Sequence, residues 1–217
     1  MDKTKVLEAL KKAKEQSKKR NFSQRYDIIV NLKDINLKDP TNQLDLFVNL
    51  HYPHGKKMKV CALVGSELKE EAEKVCDKTI HEQDFANYAK DKKATKKVAE
   101  EFDYFIAQAN IMGKVAGAFG RTLGPRKKMP NPKAGCVVPP KTSLQPICER
   151  LQHVTRVYAK ERPIIQCTVG IESMKDEEVV DNIQTVFKQI LSHVPNEKNN
   201  IKSVYLKTTM GKPVKLM

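Results

Sequence analysis

The sequence predicts an α/β (α+β) protein in two parts: a split βαβ outer domain built from both chain ends, and an inserted doubly wound, Rossmann-like α/β domain. Three observations carry this. Period-two apolar alternation marks strands near both ends of the chain. Strand-like and helix-like stretches alternate through the middle, as parallel strands with crossover helices require. The pattern changes at His51-Tyr52-Pro53-His54-Gly55, a turn-rich break.

Residues 1–20 place Val6, Leu7, Leu10 and Ala13 at helical spacing among eight basic and three acidic residues, predicting an amphipathic helix with a positive outer side. Tyr26 to Leu32 alternates with Ile28, Val30 and Leu32 on one face. Leu44 to Leu50 repeats the pattern after the turn signal Lys38-Asp39-Pro40-Thr41-Asn42. Met58 to Val64 reads as an apolar strand, Glu67 to Cys76 as a helix, Asp84 to Glu101 as a second helix and Tyr104 to Ala107 as a strand. A Gly- and Ala-rich helix over Ile111–Gly120 then runs into Gly124–Gly135, where three prolines and two glycines demand a loop.

Thr142 to Val154 reads as a helix, and Val157 to Gly170 as strand around Pro163. Ser173 is a candidate cap for a helix whose buried stripe is Val180, Ile183, Phe187 and Ile190, with Asp176, Glu177 and Glu178 favourable to its dipole. Ile201 to Thr209 is the last strand, and Met210-Gly211-Lys212-Pro213 a turn. The expected domains are residues 1–55 with 156–217, and residues 56–155, joined by paired linkers that form a hinge.

The 217 residues are enough for two cores, and 40% apolar content with only 6% aromatics and no Trp makes those cores aliphatic. Forty Lys and Arg against 26 Asp and Glu leave +14, the footprint of a nucleic-acid binder, although a solvated Lys-rich surface would read the same way. The charge does not choose a domain: both expected domains carry +7. Five cysteines without a CxxC pair, and no secretory pattern at the N-terminus, suggest reduced core thiols in an intracellular, cytoplasmic protein. No apolar run reaches the ~20 residues a membrane helix needs, so no membrane partner is expected.

Two basic segments stand out. Between Ile111 and Pro140 there are six basic residues and no acid, and Pro125, Pro130 and Pro132 stiffen a loop that presents Arg121, Arg126, Lys127, Lys128 and Lys133. From Lys198 onward there are five lysines and no acid, around Ser203-Val204-Tyr205 and Thr208-Thr209-Met210-Gly211. Thr hydroxyls can bond phosphate or ribose, an exposed Met can pack on a base, and Gly211 would admit close backbone approach or a positive φ. An ordinary solvated loop and an ordinary strand end remain open alternatives. Gly113, Gly117 and Gly120 lack dinucleotide spacing, and His51 and His54 lack ligand partners, so no cofactor and no metal are expected.

Gly120-Arg121-Thr122-Leu123-Gly124-Pro125-Arg126, Met129-Pro130-Asn131-Pro132-Lys133-Ala134-Gly135, Pro53-His54-Gly55, Ser203-Val204-Tyr205 and Thr208-Thr209-Met210-Gly211 closely resemble the ribosomal protein L-one family of the large subunit. The resemblance runs from Phe22 to Gly211, and Lys127-Lys128 is similar to its archaeal branch. It implies a structural protein, not an enzyme, on a mobile stalk, binding large-subunit ribosomal RNA beside the exit site for deacylated tRNA. It further implies repression of translation by binding its own messenger RNA, with the free protein a monomer. The family's RNA-contact surface lies on the outer domain, and its matching residues are Phe22, Ser203, Thr209, Met210 and Gly211. Lys212 extends that turn, and Arg20 or Lys19 can supply the phosphate contact that some members make where Asn21 stands here. The competing class is a nucleotide-dependent or RNA-modifying enzyme in the inserted domain. It would need a phosphate loop or a convergent acid–base pair.

Overall fold

The computed structural model describes residues 1–217. In chain order its main elements are α1 (Lys3–Glu15), β1 (Arg25–Leu32), β2 (Leu44–Asn49), β3 (Val60–Val64), α2 (Lys69–Val75), β4 (Lys78–His81), α3 (Phe85–Lys90), α4 (Lys92–Glu101) and β5 (Tyr104–Gln108). There follow α5 (Met112–Leu123), β6 (Val137–Val138), α6 (Gln145–Leu151), β7 (Val154–Ala159), β8 (Ile164–Ile171), α7 (Asp176–His193), β9 (Ile201–Thr208) and β10 (Val214–Lys215). The chain divides into two compact units, Met1–Lys56 with His153–Met217, and Lys57–Gln152.

In the outer unit a four-stranded antiparallel sheet runs in the order β10-β9-β1-β8, and β2 pairs with β7. Both β8 and β9 bond to β1, so the β8–α7–β9 crossover is split by the first strand of the chain. Alternation along β1 buries Tyr26, Ile28, Val30 and Leu32, which meet Val6 and Leu10 of α1 and Val180, Ile183, Phe187 and Ile190 of α7. Along β9, Val204 and Leu206 join that core, leaving Ser203, Tyr205 and Lys207 on the other face.

The inserted unit is doubly wound. Its parallel sheet has the order β4-β3-β5-β6, and β3 is buried along its whole length. Cys61 and Leu63 face a core with Phe85, Val98, Phe105, Val115 and Phe119. Val60, Ala62 and Val64 take the opposite face, where the Glu71 carboxylate of α2 accepts from Ser143 Oγ at 2.8 Å and Leu144 N at 2.7 Å ahead of α6.

The α/β class expected from the sequence holds, and several element boundaries are corrected. The first helix ends at Glu15, so Lys19 and Arg20 lie beyond it in the segment leading to β1. The stretch Asp84–Glu101 is two helices, because Asp91 takes an extended conformation and its carboxylate accepts from Lys93 N at 2.8 Å and Ala94 N at 3.1 Å, starting α4 afresh. Ser173 is not the cap of α7. It sits in the preceding turn, and Glu178 instead reaches back to the backbone N–H of Lys175 at 3.3 Å. The short strands β4, β6 and β10 are additional to the sequence reading. None of the helices is long and apolar enough to cross a membrane.

Candidate nucleic-acid interface

Antiparallel pairing brings the beginning of β1 beside the end of β9, with Tyr26 opposite Thr208. One residue further out, Arg25 and Thr209 exchange two bonds: Thr209 N donates to Arg25 O at 3.0 Å, and Arg25 N donates to Thr209 Oγ1 at 3.0 Å. The pre-β1 segment carrying Lys19, Arg20 and Phe22 therefore lies next to the post-β9 turn carrying Thr209, Met210, Gly211 and Lys212. Phe22 is 52% exposed and Met210 61%, while Lys19, Arg20, Thr209 and Lys212 are also exposed. Two apolar side chains left in water among cations suit bases or sugars flanked by phosphates.

The residue that organises this edge is one the sequence reading did not single out. Gln24, only 1% exposed, donates from Nε2 to Ser17 Oγ at 2.8 Å, Lys18 O at 3.2 Å and Glu172 Oε1 at 3.1 Å, and its Oε1 accepts from Met210 N at 3.1 Å. Its backbone exchanges bonds with Glu172, at 3.0 Å from Glu172 N and 3.2 Å to Glu172 Oε2. One amide thus ties together the end of α1, the start of β1, the turn after β8 and the turn after β9. Thr208 adds a bond from its hydroxyl to Ser17 Oγ at 3.2 Å. The only sequence signal for Gln24 is a polar residue just ahead of an alternating strand.

Gly211 has an intramolecular reason for being glycine. Its N–H donates to Thr208 O at 3.2 Å, and a Cβ there would lie 2.2 Å from Thr208 Oγ1. Its φ is not positive, so the expectation of a left-handed backbone is corrected: steric room, and not conformation, excludes a side chain. Ser203 stands apart from the cluster. It lies opposite Asn31, is 7% exposed and accepts from Asn31 Nδ2 at 2.9 Å, roughly 17 Å along β9 from the turn by strand rise.

The basic loop of the inserted unit is divided in its roles. Lys128 Nζ donates to Ala99 O at 2.9 Å and Phe102 O at 2.7 Å, closing the C-terminal end of α4. Arg126 reaches Glu100 Oε1 at 3.0 Å and Thr122 O at 3.4 Å. Arg121, Lys127 and Lys133 are exposed, and Lys127 adopts a φ of 58° as the chain leaves α5. Two of the five predicted contact cations are therefore engaged in holding the unit together.

The crevice where the parallel sheet reverses its winding, between the ends of β3 and β5, is the place a nucleotide phosphate would occupy. Gln108 fills it: fully buried, it accepts from Gly65 N at 2.8 Å and donates to Glu67 Oε2 at 2.9 Å. The Glu82 carboxylate lies close to Gly65 as well and is paired with Lys114. Gly113, Gly117 and Gly120 lie on α5 with open space at their Cβ positions. His51 pairs with Asp181 at 2.5 Å, and His54 is buried.

A family profile described as "Ribosomal protein L1p/L10e family" matches residues 10–212. The chain is 40% identical over 216 residues to large ribosomal subunit protein uL1 of Pyrococcus abyssi, covering 99% of this chain and 96% of that protein. It is 42% identical over 213 residues to the protein of the same name from Methanobrevibacter smithii, covering 98% of each. The Nanoarchaeum equitans protein is 39% identical, with 97% of this chain and 99% of that protein covered.

Proposed function

Since the chain belongs to the Ribosomal protein L1p/L10e family, we propose that it is a structural, non-enzymatic protein of the large ribosomal subunit that binds ribosomal RNA through its outer unit. The observation that carries this is the edge where exposed Phe22 and Met210 flank a turn pinned by buried Gln24, with Lys19, Arg20 and Lys212 around it. Cations attract the phosphate backbone, and a turn already hydrogen-bonded in place loses little further freedom on docking. Specificity then comes from uncharged groups meeting a particular RNA shape.

Thr209 contributes an exposed hydroxyl whose own hydrogen faces Arg25 O at 3.5 Å, long enough for an RNA acceptor to take its place. Tyr205 and Lys207, partly exposed, offer a second line of contact along the sheet face away from α1 and α7, and Ser203, buried and bonded to Asn31, braces it. The exposed Arg121, Lys127 and Lys133 of the inserted unit form a secondary, electrostatic contact. The finer reading is a protein of the mobile stalk beside the exit site for deacylated tRNA, working in the cytoplasm on the ribosome, monomeric when free, and binding a similar fold in its own messenger RNA to repress translation. Nothing at the β3–β5 crevice favours the enzymatic alternative.

The test is filter binding of the full chain to a folded ribosomal RNA fragment and to a scrambled RNA at three salt concentrations, with nuclease footprinting of RNA that co-purifies. Met210→Ala lowers specific affinity and leaves the salt slope unchanged. Lys212→Ala weakens both RNAs and reduces the slope by roughly 0.7–0.9. Equal binding of the two RNAs by the wild type, or a Met210→Ala protein that binds the specific RNA normally, overturns the assignment.

A further inference from the structure

Five cysteines are reduced in this chain, and they fall into two groups. Cys61, Cys136 and Cys167 are buried core residues, and burial pushes their thiols up to about 12, about 11 and about 12. Cys76 and Cys148 are different. Each is only partly buried, and their sulfurs are 3.6 Å apart, in van der Waals contact, although 72 residues separate them in sequence. Cys76 ends α2 and Cys148 lies within α6, so both sit on the face of the inserted sheet opposite the Phe85–Phe119 core.

Beside them opens a cavity of about 690 Å³ lined by Cys148 with Lys57, Lys74, Glu71, Asp77 and Glu149. The two sulfurs are not equivalent. Either thiol can donate across this contact, and the sulfur that accepts is the one whose thiolate is favoured, while only Cys148 lines the cavity. Asp77, Glu149 and Glu71 oppose thiolate formation at Cys148, and a hydrogen bond accepted from Cys76 favours it. Cys148 is thus the sulfur that an entering molecule meets first, with its resolving partner already in contact.

We propose that Cys76 and Cys148 form a reversible dithiol–disulfide site in the inserted unit that reacts with small-molecule disulfides entering this cavity. The Cys148 thiolate attacks one sulfur of the oxidant, forming a mixed disulfide and releasing one small thiolate. Cys76 then loses its proton to solvent, and its thiolate attacks the Cys148 sulfur, forming the Cys76–Cys148 bond and expelling the second small thiolate. Two electrons pass from the protein to the oxidant, and the two protons lost by the protein thiols balance the two small thiols formed. The product staples the end of α2 to α6 and closes a long loop, which raises the stability of this unit mainly by restricting its unfolded chain.

Oxidised and reduced glutathione, mixed in graded ratios, serve as the probe for the folded full chain, followed by quenching with an alkylating agent and peptide mass mapping. The expected result is a Cys76–Cys148 cross-link two hydrogens lighter than the dithiol, with Cys61, Cys136 and Cys167 alkylated, and a melting midpoint that rises on oxidation and returns on reduction. Cys76→Ser is expected to accumulate glutathione on Cys148, and Cys148→Ser to form no cross-link. The proposal is overturned if the wild type keeps five alkylatable thiols at the most oxidising ratio, if other cysteines pair, or if a glutathione adduct persists on wild-type Cys148 without resolving.

Discussion

Replacing Gln24 with Ala removes the amide on which four segments converge. The loss comprises bonds to Ser17 Oγ at 2.8 Å, Lys18 O at 3.2 Å, Glu172 Oε1 at 3.1 Å and Met210 N at 3.1 Å, at a site 1% exposed. A neutral bond contributes about 0.5–1.5 kcal/mol net, and one to a charged group about 1.5–3 kcal/mol. The four share one side chain and do not add fully, and water entering the vacated space satisfies some partners, so the net loss is about 2–3 kcal/mol. For a unit of roughly 120 residues this lowers the melting midpoint on the order of 10 °C. At a temperature where the variant remains folded, the Met210 N–H has lost its anchor, and specific RNA affinity falls about tenfold, or ~1.4 kcal/mol. Because Gln24 is uncharged, the salt slope is unchanged. Thermal melts and filter binding measure both effects. A variant that melts like the wild type refutes the network's contribution to stability; one that melts lower yet binds specific RNA with wild-type affinity refutes its part in positioning the turn.

Three further perturbations probe separate features. Gly211→Ala puts a Cβ 2.2 Å from Thr208 Oγ1 and destabilises the outer unit by about 1–3 kcal/mol, and combining it with Thr208→Ala recovers part of that loss in a double-mutant cycle of thermal melts. Lys128→Met keeps the aliphatic stem but removes the bonds to Ala99 O and Phe102 O, so denaturant melts show the inserted unit weakened by about 1–3 kcal/mol while the salt slope of RNA binding stays as in the wild type. Asp45 is pushed up by burial, but bonds from Arg156 and Lys160 and their charges outweigh this and hold its carboxyl below the ordinary 3.8. A depressed folded value means the pair stabilises the outer unit above about pH 4 and ceases to do so as pH falls through the folded value; melts from pH 7 to pH 2 are expected to show this loss in the wild type and to lack it in Asp45→Asn.

Phe22, Thr209, Met210 and Gly211 were implied by the family resemblance and not by any local pattern, and with Lys19, Arg20 and Lys212 they fall in two contiguous stretches. Lys19, Arg20 and Phe22 precede a clearly alternating strand, and Thr209 to Lys212 follow another. Their adjacency was not legible, since it depends on β1 and β9 being paired antiparallel in one register. Gln24 escaped notice for the same reason: its partners lie up to 186 residues away, and no local pattern distinguishes a buried organising amide from a solvated one. Lys128 looked like its neighbours because charge is visible in sequence, whereas its role in closing α4 depends on where the chain returns after α5.

The sequence by itself determined the α/β class and most of the strands and helices, because periods of 2 and 3.6 are local consequences of where side chains point. It did not reveal β4, where only Ile80 of four residues is buried, nor the two-residue β6 and β10, since segments this short carry no period. Nor did it show the break at Asp91, which lacks the Gly or Pro that usually signals one. Tertiary structure alone decided that the β8–α7–β9 crossover is split by β1, that Gln108 occupies the crevice of the parallel sheet, and that Cys76 meets Cys148. Each of these depends on pairing and packing between residues far apart in the chain, and such contacts are selected by the global burial of apolar faces, which no local stretch of sequence encodes.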